Sequence, residues 1–324
     1  MKTIARAWTS VACTAVLFAV GMPTATADPG SPEEIAELVS RVAPDQAVVL
    51  TGTVQQDTVS AELVDGAVEI PLTGDAPLTL SCGGTTIPVG LPLEAGLGSG
   101  EMAPDGTVVV DGSSAGADVA VQARADGAVR VQTITQGSDG AHRFTYTLPD
   151  EWSIATIPGE GLVATSSTST DGTSLEIADP WAVDANGTAV TTWYEVDGST
   201  FTQVIAPDGG TVYPIVADPT YSVGRGYYAH FDRAETKTVA GGGWAATGAS
   251  GICAVVGGLM GGPIGTAVLS ASCLGLAGTI VYQAGVAQSS SPKKCLFVKY
   301  TVATLLPLPV PKFSAGTYSD RRCR

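Results

Sequence analysis

Histidine is almost missing from this 324-residue chain: His142 and His230 are the only two. With so few imidazoles and no Cys-x-x-Cys pair, a His/Cys zinc centre is not expected. No His-Glu-x-x-His motif and no paired carboxylates in a defined catalytic motif are present. A Ser-His-Asp set could assemble only from residues far apart in sequence, and His230, between Ala229 and Phe231, reads as a strand residue rather than a base. No catalytic, metal or cofactor-binding residue is therefore assigned. Positive charge is the second scarcity. Residues 28–232 hold 5 Lys and Arg against 29 Asp and Glu, a net of −24. This balance argues against nucleic acid and anionic lipid as partners of that half, and it is a common device for solubility outside the cell.

Charge of either sign vanishes from Thr238 to Pro292. Within this run, residues 239–288 contain 13 glycines, and Gly261-Gly262-Pro263 sits near the middle. Glycine ends helices and proline is favoured in a first turn, so two helices are expected, over 244–261 and 264–287. Folding the chain back at Pro263 sets Cys253 opposite Cys273, Gly257 opposite Leu269 and Gly261 opposite Gly265. Positions four apart share one helix face, so the seam consists of small residues and two cysteines. Gly257, Gly261 and Gly265 are the expected helix-packing residues. The close approach they allow suits a Cys253–Cys273 bridge, which needs Cα atoms about 4.4–6.8 Å apart. The same pattern is also that of an ordinary buried core hairpin.

Residues 1–27 have the form of a secretory signal peptide: Lys2 and Arg6, an apolar core from Val11 to Val20, and Ala25-Thr26-Ala27 before the cleavage point. The expected location is therefore secreted and extracellular, at the cell surface or membrane-associated. Five cysteines remain in an oxidising compartment, four of them near the C-terminus. The simplest pairing is Cys253–Cys273 and Cys295–Cys323, with Cys82 buried or unbridged.

The acidic half opens with one helix. Ser31 can cap it, Pro32 takes the first position, Glu33 and Glu34 suit the N-terminal dipole, and Ile35, Leu38, Val39 and Val42 form an apolar face before Pro44 ends it. Short Val- and Thr-rich runs follow, punctuated by nine Asp-Gly or Asn-Gly dipeptides from Asp65-Gly66 to Asp208-Gly209. Such dipeptides supply the positive φ of tight hairpins, so about ten to fourteen mostly antiparallel strands are expected. The aspartates occupy turn positions with no D-x-D-x-D-G run, so calcium is not expected. The fold class is α+β: a mainly antiparallel, sandwich-like β domain over 28–220, a linker or strand at 221–232, and a small disulfide-stapled module at 233–324 containing the Gly-rich helical hairpin.

Three segments carry a resemblance. Pro180-Trp181-Ala182-Val183-Asp184-Ala185-Asn186-Gly187, Val190-Thr191-Thr192-Trp193-Tyr194-Glu195-Val196 and Val212-Tyr213-Pro214-Ile215-Val216-Ala217-Asp218-Pro219-Thr220 together resemble a block in secreted actinobacterial proteins of uncharacterised function. In those proteins a β-rich domain ends in a YPVVADP-like strand. The Gly/Ala-rich run with Lys294-Cys295-Leu296 and a final cysteine is similar to their C-terminal part, and it is bacteriocin-like in composition only. The resemblance implies no activity.

Residues 233–324 reverse the charge, with 9 Lys and Arg against 2 Asp and Glu. Asp232 and Glu235 form a capping box for a helix that should break at the glycines of 241–243, and Cys295 to Ala303 reads as a strand. Three functions follow. The first is a secreted non-enzymatic protein whose cationic, apolar module engages an anionic membrane surface or a protein partner, with the acidic domain as solubilising or restraining part. The second is a structural or adhesive cell-envelope protein with the hairpin as core. The third is a secreted hydrolase. Leu259, Ile264, Val268, Leu276, Ile280 and Val281 facing solvent would favour the first, and the same residues packed on the Cys295 strand the second. The sequence sets no oligomeric state.

Overall fold

The computed structural model describes residues 30–45, 47–112, 116–169, 172–241, 277–305, 308–320 and 322–324. The expected signal peptide, 1–27, lies outside them.

Helix α1, Pro32–Val42, forms as its sequence dictates. Ser31 caps it by accepting the Glu34 N–H at 3.4 Å, and Ala43 closes it with an N–H to the Val39 carbonyl. Ile35, Leu38, Val39 and Val42 are buried against Val109, Ala120, Ile134, Val183 and Val216. Each such aliphatic side chain contributes about 1.5–3 kcal/mol of transfer free energy.

The rest of the acidic half is antiparallel sheet. Strands β1 (Thr53–Gln55), β2 (Thr58–Leu63), β3 (Gly66–Pro71), β4 (Leu78–Cys82) and β5 (Thr85–Val89) make a five-stranded meander in chain order. Cys82 is a buried thiol on β4. A three-stranded sheet places β10 (Arg143–Thr147), β16 (Thr200–Ala206) and β15 (Thr191–Asp197) side by side in that order.

The large sheet has thirteen strands among the described residues. One end is formed by β6 (Gly100–Met102), β7 (Val108–Val110), β8 (Ala117–Ala123) and β9 (Val129–Thr135), neighbours in that order. Every residue of β9 is buried: Val129 and Val131 face the main core, while Ile134 packs beneath α1. Two short strands, β14 (Ala182–Val183) and β17 (Ile215–Ala217), attach to β9 through β17. The other end holds β11 (Trp152–Ile157), β12 (Gly161–Ser166) and β13 (Thr173–Ile177). Strand β18, Thr220–Arg225, joins the two ends, pairing with β9 through Thr220 and Tyr221 and with β13 along Tyr221 to Arg225.

The sheet does not stop at the expected domain boundary. The 221–232 segment is strand: β18 is followed by β19, Tyr227–His230, which pairs with β20, Cys295–Leu305. Strand β20 pairs with β21, Leu308–Tyr318, and β21 pairs through Thr317 and Tyr318 with β11. The C-terminal residues thus share a backbone ladder with residues 152–157, whereas the sequence reads as a module able to fold alone. Charge asymmetry marks a change of surface, and backbone pairing is indifferent to it.

Among the described residues, seventeen strands precede Thr220, more than the ten to fourteen expected, because β1, β6, β7, β14 and β17 span only two or three residues each. Such strands are too short to show alternation. The turn dipeptides divide as well. Gly106, Gly127, Gly172, Gly187 and Gly198 take positive φ, but four of the nine do not. At three of these four the glycine is needed for close backbone approach: a methyl group on Gly66, Gly112 or Gly140 would strike the carbonyl of Ser81, Ala117 or Gly116.

Gly316 has the same role where β21 meets β11, since a β-carbon there would collide with the Thr156 carbonyl. Gly316→Ala is expected to part the two strands and cost roughly 1–3 kcal/mol in thermal or denaturant unfolding. A variant as stable as the parent would refute the close contact.

Candidate functional site

The C-terminal end is built around the β20–β21 ribbon. Helix α2, Arg233–Ala240, starts at the expected capping box: Asp232 Oδ1 accepts the Glu235 N–H at 2.8 Å, and Glu235 Oε2 accepts the Asp232 N–H at 2.8 Å. Gly241 follows as its C-cap. Helix α3, Ala277–Ser289, packs with α2 on the ribbon. Val239, Ile280, Ala284, Leu296, Val298 and Phe313 form their shared core. The buried Thr236 hydroxyl accepts the Leu296 N–H at 3.0 Å, and Tyr318 donates its hydroxyl to the Phe231 carbonyl at 3.0 Å.

Cys295 and Cys323 form a disulfide with Cα atoms 5.5 Å apart. It is buried beside Ala155, Ile157, Phe297 and Tyr318. Cys253 and Cys273, with Gly257, Gly261 and Gly265, lie outside the described residues. So do Leu259, Ile264, Val268 and Leu276 of the six residues chosen to separate the membrane from the core reading. The remaining two, Ile280 and Val281, pack on the core formed with Leu296 and Val298. The opposite face of α3 carries no charge and exposes Tyr282 and Val286, at 68% and 37%. Arg233 and Lys237 on α2 and Lys293 after α3 are exposed.

Side-chain hydrogen bonds also cross from this end to the acidic part. Lys299, on β20 and buried, donates to Glu176 Oε1 on β13 at 2.6 Å, and Ser314 donates to Glu160 at 2.8 Å.

The two histidines have structural partners. His230 lies between the rings of Phe297 and Tyr318, with centroids 5.0 and 4.9 Å away, and its Nε2 is 3.3 Å from the Thr165 hydroxyl. Burial, helped by the Arg322 charge, pushes its pKa down to about 3, so the ring is neutral at physiological pH. His142 Nε2 is 3.0 Å from the Tyr213 hydroxyl. Gly112-Ser113-Ser114-Ala115-Gly116 fits a G-x-S-x-G spacing. It falls between strands β7 and β8, and Ser113, Ser114 and Ala115 lie outside the described residues.

The first and third of the segments that carry the resemblance meet at one buried carboxylate. Asp218 directly follows β17 and has no exposed surface. It accepts the Trp181 N–H at 3.0 Å and the Thr220 hydroxyl at 2.9 Å. Burial raises its pKa to about 7, against the pull of those two bonds and of the Arg130 charge. Arg130 is buried too. Its NH1 and NH2 donate to the carbonyl and carboxylate of Asp45 at 2.9 and 3.0 Å, and its guanidinium sits 5.6 Å from the centre of the Trp181 ring. Arg124 donates to the same Asp45 carboxylate at 2.8 Å and to Asp126 at 2.7 Å. The Arg124 hydrogen bond chiefly holds the Asp45 pKa below the usual carboxylate range. Asp184 ties the block's first and third segments, accepting N–H bonds from Asn186, Thr188 and Val212 at 2.9, 2.8 and 3.3 Å.

This cluster holds the chain segments together and offers no open reacting centre. The sequence reading takes Asp218-Pro219 only as the end of a domain. The available signal is a carboxylate directly after the apolar run Ile215-Val216-Ala217. No protein-family model matches the chain, and no curated protein does.

Proposed function

We propose that the protein is a secreted, non-enzymatic member of the actinobacterial group that its 180–220 block resembles, and that its C-terminal end engages an anionic membrane surface or a protein partner. The carrying observation is the uncharged outer face of α3, with Tyr282 and Val286 exposed, close in sequence to the exposed Lys293. An aromatic ring and a nearby cation suit an anionic interface, where each Lys near the surface contributes about 1 kcal/mol. The acidic β part, net −24, is the solubilising or restraining portion. No helix among the described residues is long and apolar enough to cross a membrane.

The structural or adhesive reading has its own observation. Ile280 and Val281 pack inward on the Cys295 strand, as a plain core would have them. Sedimentation of the full mature chain with vesicles separates the two. Under the first reading it should pellet with phosphatidylglycerol vesicles at low salt but not with phosphatidylcholine vesicles. Lys293→Glu combined with Tyr282→Ser should weaken this binding roughly five- to thirty-fold. No pelleting with either lipid leaves the structural reading in place.

A further inference from the structure

The three-stranded sheet has one face in the core and one turned outward. Phe144, Tyr146, Phe201 and Ile205 occupy the inner face. The alternate residues make the outer face, in cross-strand rows fixed by register. Trp193, Val204 and Arg143 form one row, and Glu195, Thr202 and Thr145 the next. Trp193 is 42% exposed, an unusual state for so large an apolar ring. Val204, between Trp193 and Arg143 in its row, is only 7% exposed although it faces outward.

A single carboxylate fixes both of those side chains. Glu195 Oε1 accepts the indole N–H of Trp193 at 3.3 Å, and Glu195 Oε2 accepts from Arg143 NH2 at 2.7 Å. The hydroxyls of Thr145 and Thr202 lie 2.9 Å apart in the adjoining row. At the far end of the same strands, Thr191 opens on a cleft of about 110 Å³ that Asp184, Thr188, Asp208 and Thr211 also line.

We infer that this outer face binds a neutral polysaccharide, with a sugar ring stacked on Trp193 and its hydroxyls met by Arg143, Glu195, Thr145 and Thr202. The Arg143–Glu195 pair leaves the centre of the face uncharged within a half of net −24. An anionic polymer would be repelled by that half, and a cationic one would be drawn to carboxylates over most of the surface rather than to this face, where Arg143 stands beside the indole. A neutral glycan uses every group present. Its C–H face covers the ring, and its hydroxyls both donate to Glu195 and accept from Arg143. This site is separate from the C-terminal end and does not depend on the function proposed for it.

The test is native gel electrophoresis of the full mature chain through gels containing hydroxyethylcellulose or, in a second arm, glycol chitin. The two arms separate a plain hexose chain from an N-acetylated one. The expected result is retardation in at least one gel relative to a reference protein. Trp193→Ala should weaken it by roughly tenfold or more, as for a central aromatic anchor, and Trp193→Tyr should keep most of it. Arg143→Ala should weaken it less than Trp193→Ala does. Unchanged mobility of the parent in both gels, or equal retardation of the parent and Trp193→Ala, would overturn the assignment. So would capture of a protein through Trp193 with no effect of either glycan.

Discussion

Asp218→Asn is expected to stabilise the protein at pH 8 and to leave it nearly unchanged at pH 4. Asp218 is fully buried, and its pKa is raised from 3.8 to about 7. In the unfolded chain it titrates near the ordinary carboxylate value, so between pH 4 and 7 the folded state binds more proton. The folded state is therefore favoured at low pH, and the penalty for burying the ionised form grows until it is complete above pH 7. The full difference is on the order of 4 kcal/mol. Asparagine removes it while keeping an acceptor for the Trp181 N–H and a donor toward Thr220. Arg130 retains Asp45 as its charged partner.

The other groups around this point do not imitate the effect. Burial raises the hydroxyls of Tyr146, Tyr194 and Tyr221 well above 10, outside the window. Asp45 is lowered, so its contribution is present above pH 4 and lost on further acidification, the opposite sense. Chemical denaturation of parent and variant from pH 4 to 8 reads the difference directly. If the variant is less stable at pH 8, the ionised carboxylate is needed as a partner for Arg130, and the buried-proton account fails.

The parts of this architecture legible in the sequence are those specified locally. Helix α1 needs only Ser31, Pro32 and four aliphatic residues at helical spacing, and α2 needs only the Asp232–Glu235 reciprocity and Gly241. The five Asp-Gly or Asn-Gly turns whose glycine takes positive φ are local too, since the left-handed region is intrinsic to glycine. The continuity of the large sheet is not local. Residues 317–318 pair with 155–156, some 160 positions away, and no periodicity announces that partnership. A reversal of charge at residue 233 was the more conspicuous signal, and it points to a boundary that the backbone ladder crosses.

The candidate sites divide in the same way. Cys295 and Cys323 are legible because four of the cysteines cluster near the C-terminus and so have few partners to choose from. Asp218 is opaque because its burial is decided by Arg130, Trp181 and Thr220, which arrive from three segments. Trp193 belongs to the quoted block, yet alternation alone cannot say which face of its strand is turned outward. That follows only once β16 and β10 are set beside it.

Replacing both Cys295 and Cys323 by serine is expected to lower the melting temperature markedly and to preserve a single transition. The bridge spans a sequence separation of 28 residues. By the chain-entropy model, closing such a loop is worth roughly 3–4 kcal/mol. For a protein of this size that corresponds to about 5–10 °C. The single transition follows from the topology. Tyr318 pairs with both Cys295 on β20 and Ala155 on β11, so the ribbon cannot leave without opening the edge of the large sheet. Lys299 would also lose its ion pair with Glu176, which couples the two parts further. Calorimetry of the double variant decides the matter. Two separated transitions, with only the lower one moved by the substitution, would show that the C-terminal residues fold as a unit of their own and that the shared ladder is energetically minor. One transition, displaced as a whole, would mean that any partner gripping α3 pulls on the same cooperative structure that carries Trp193.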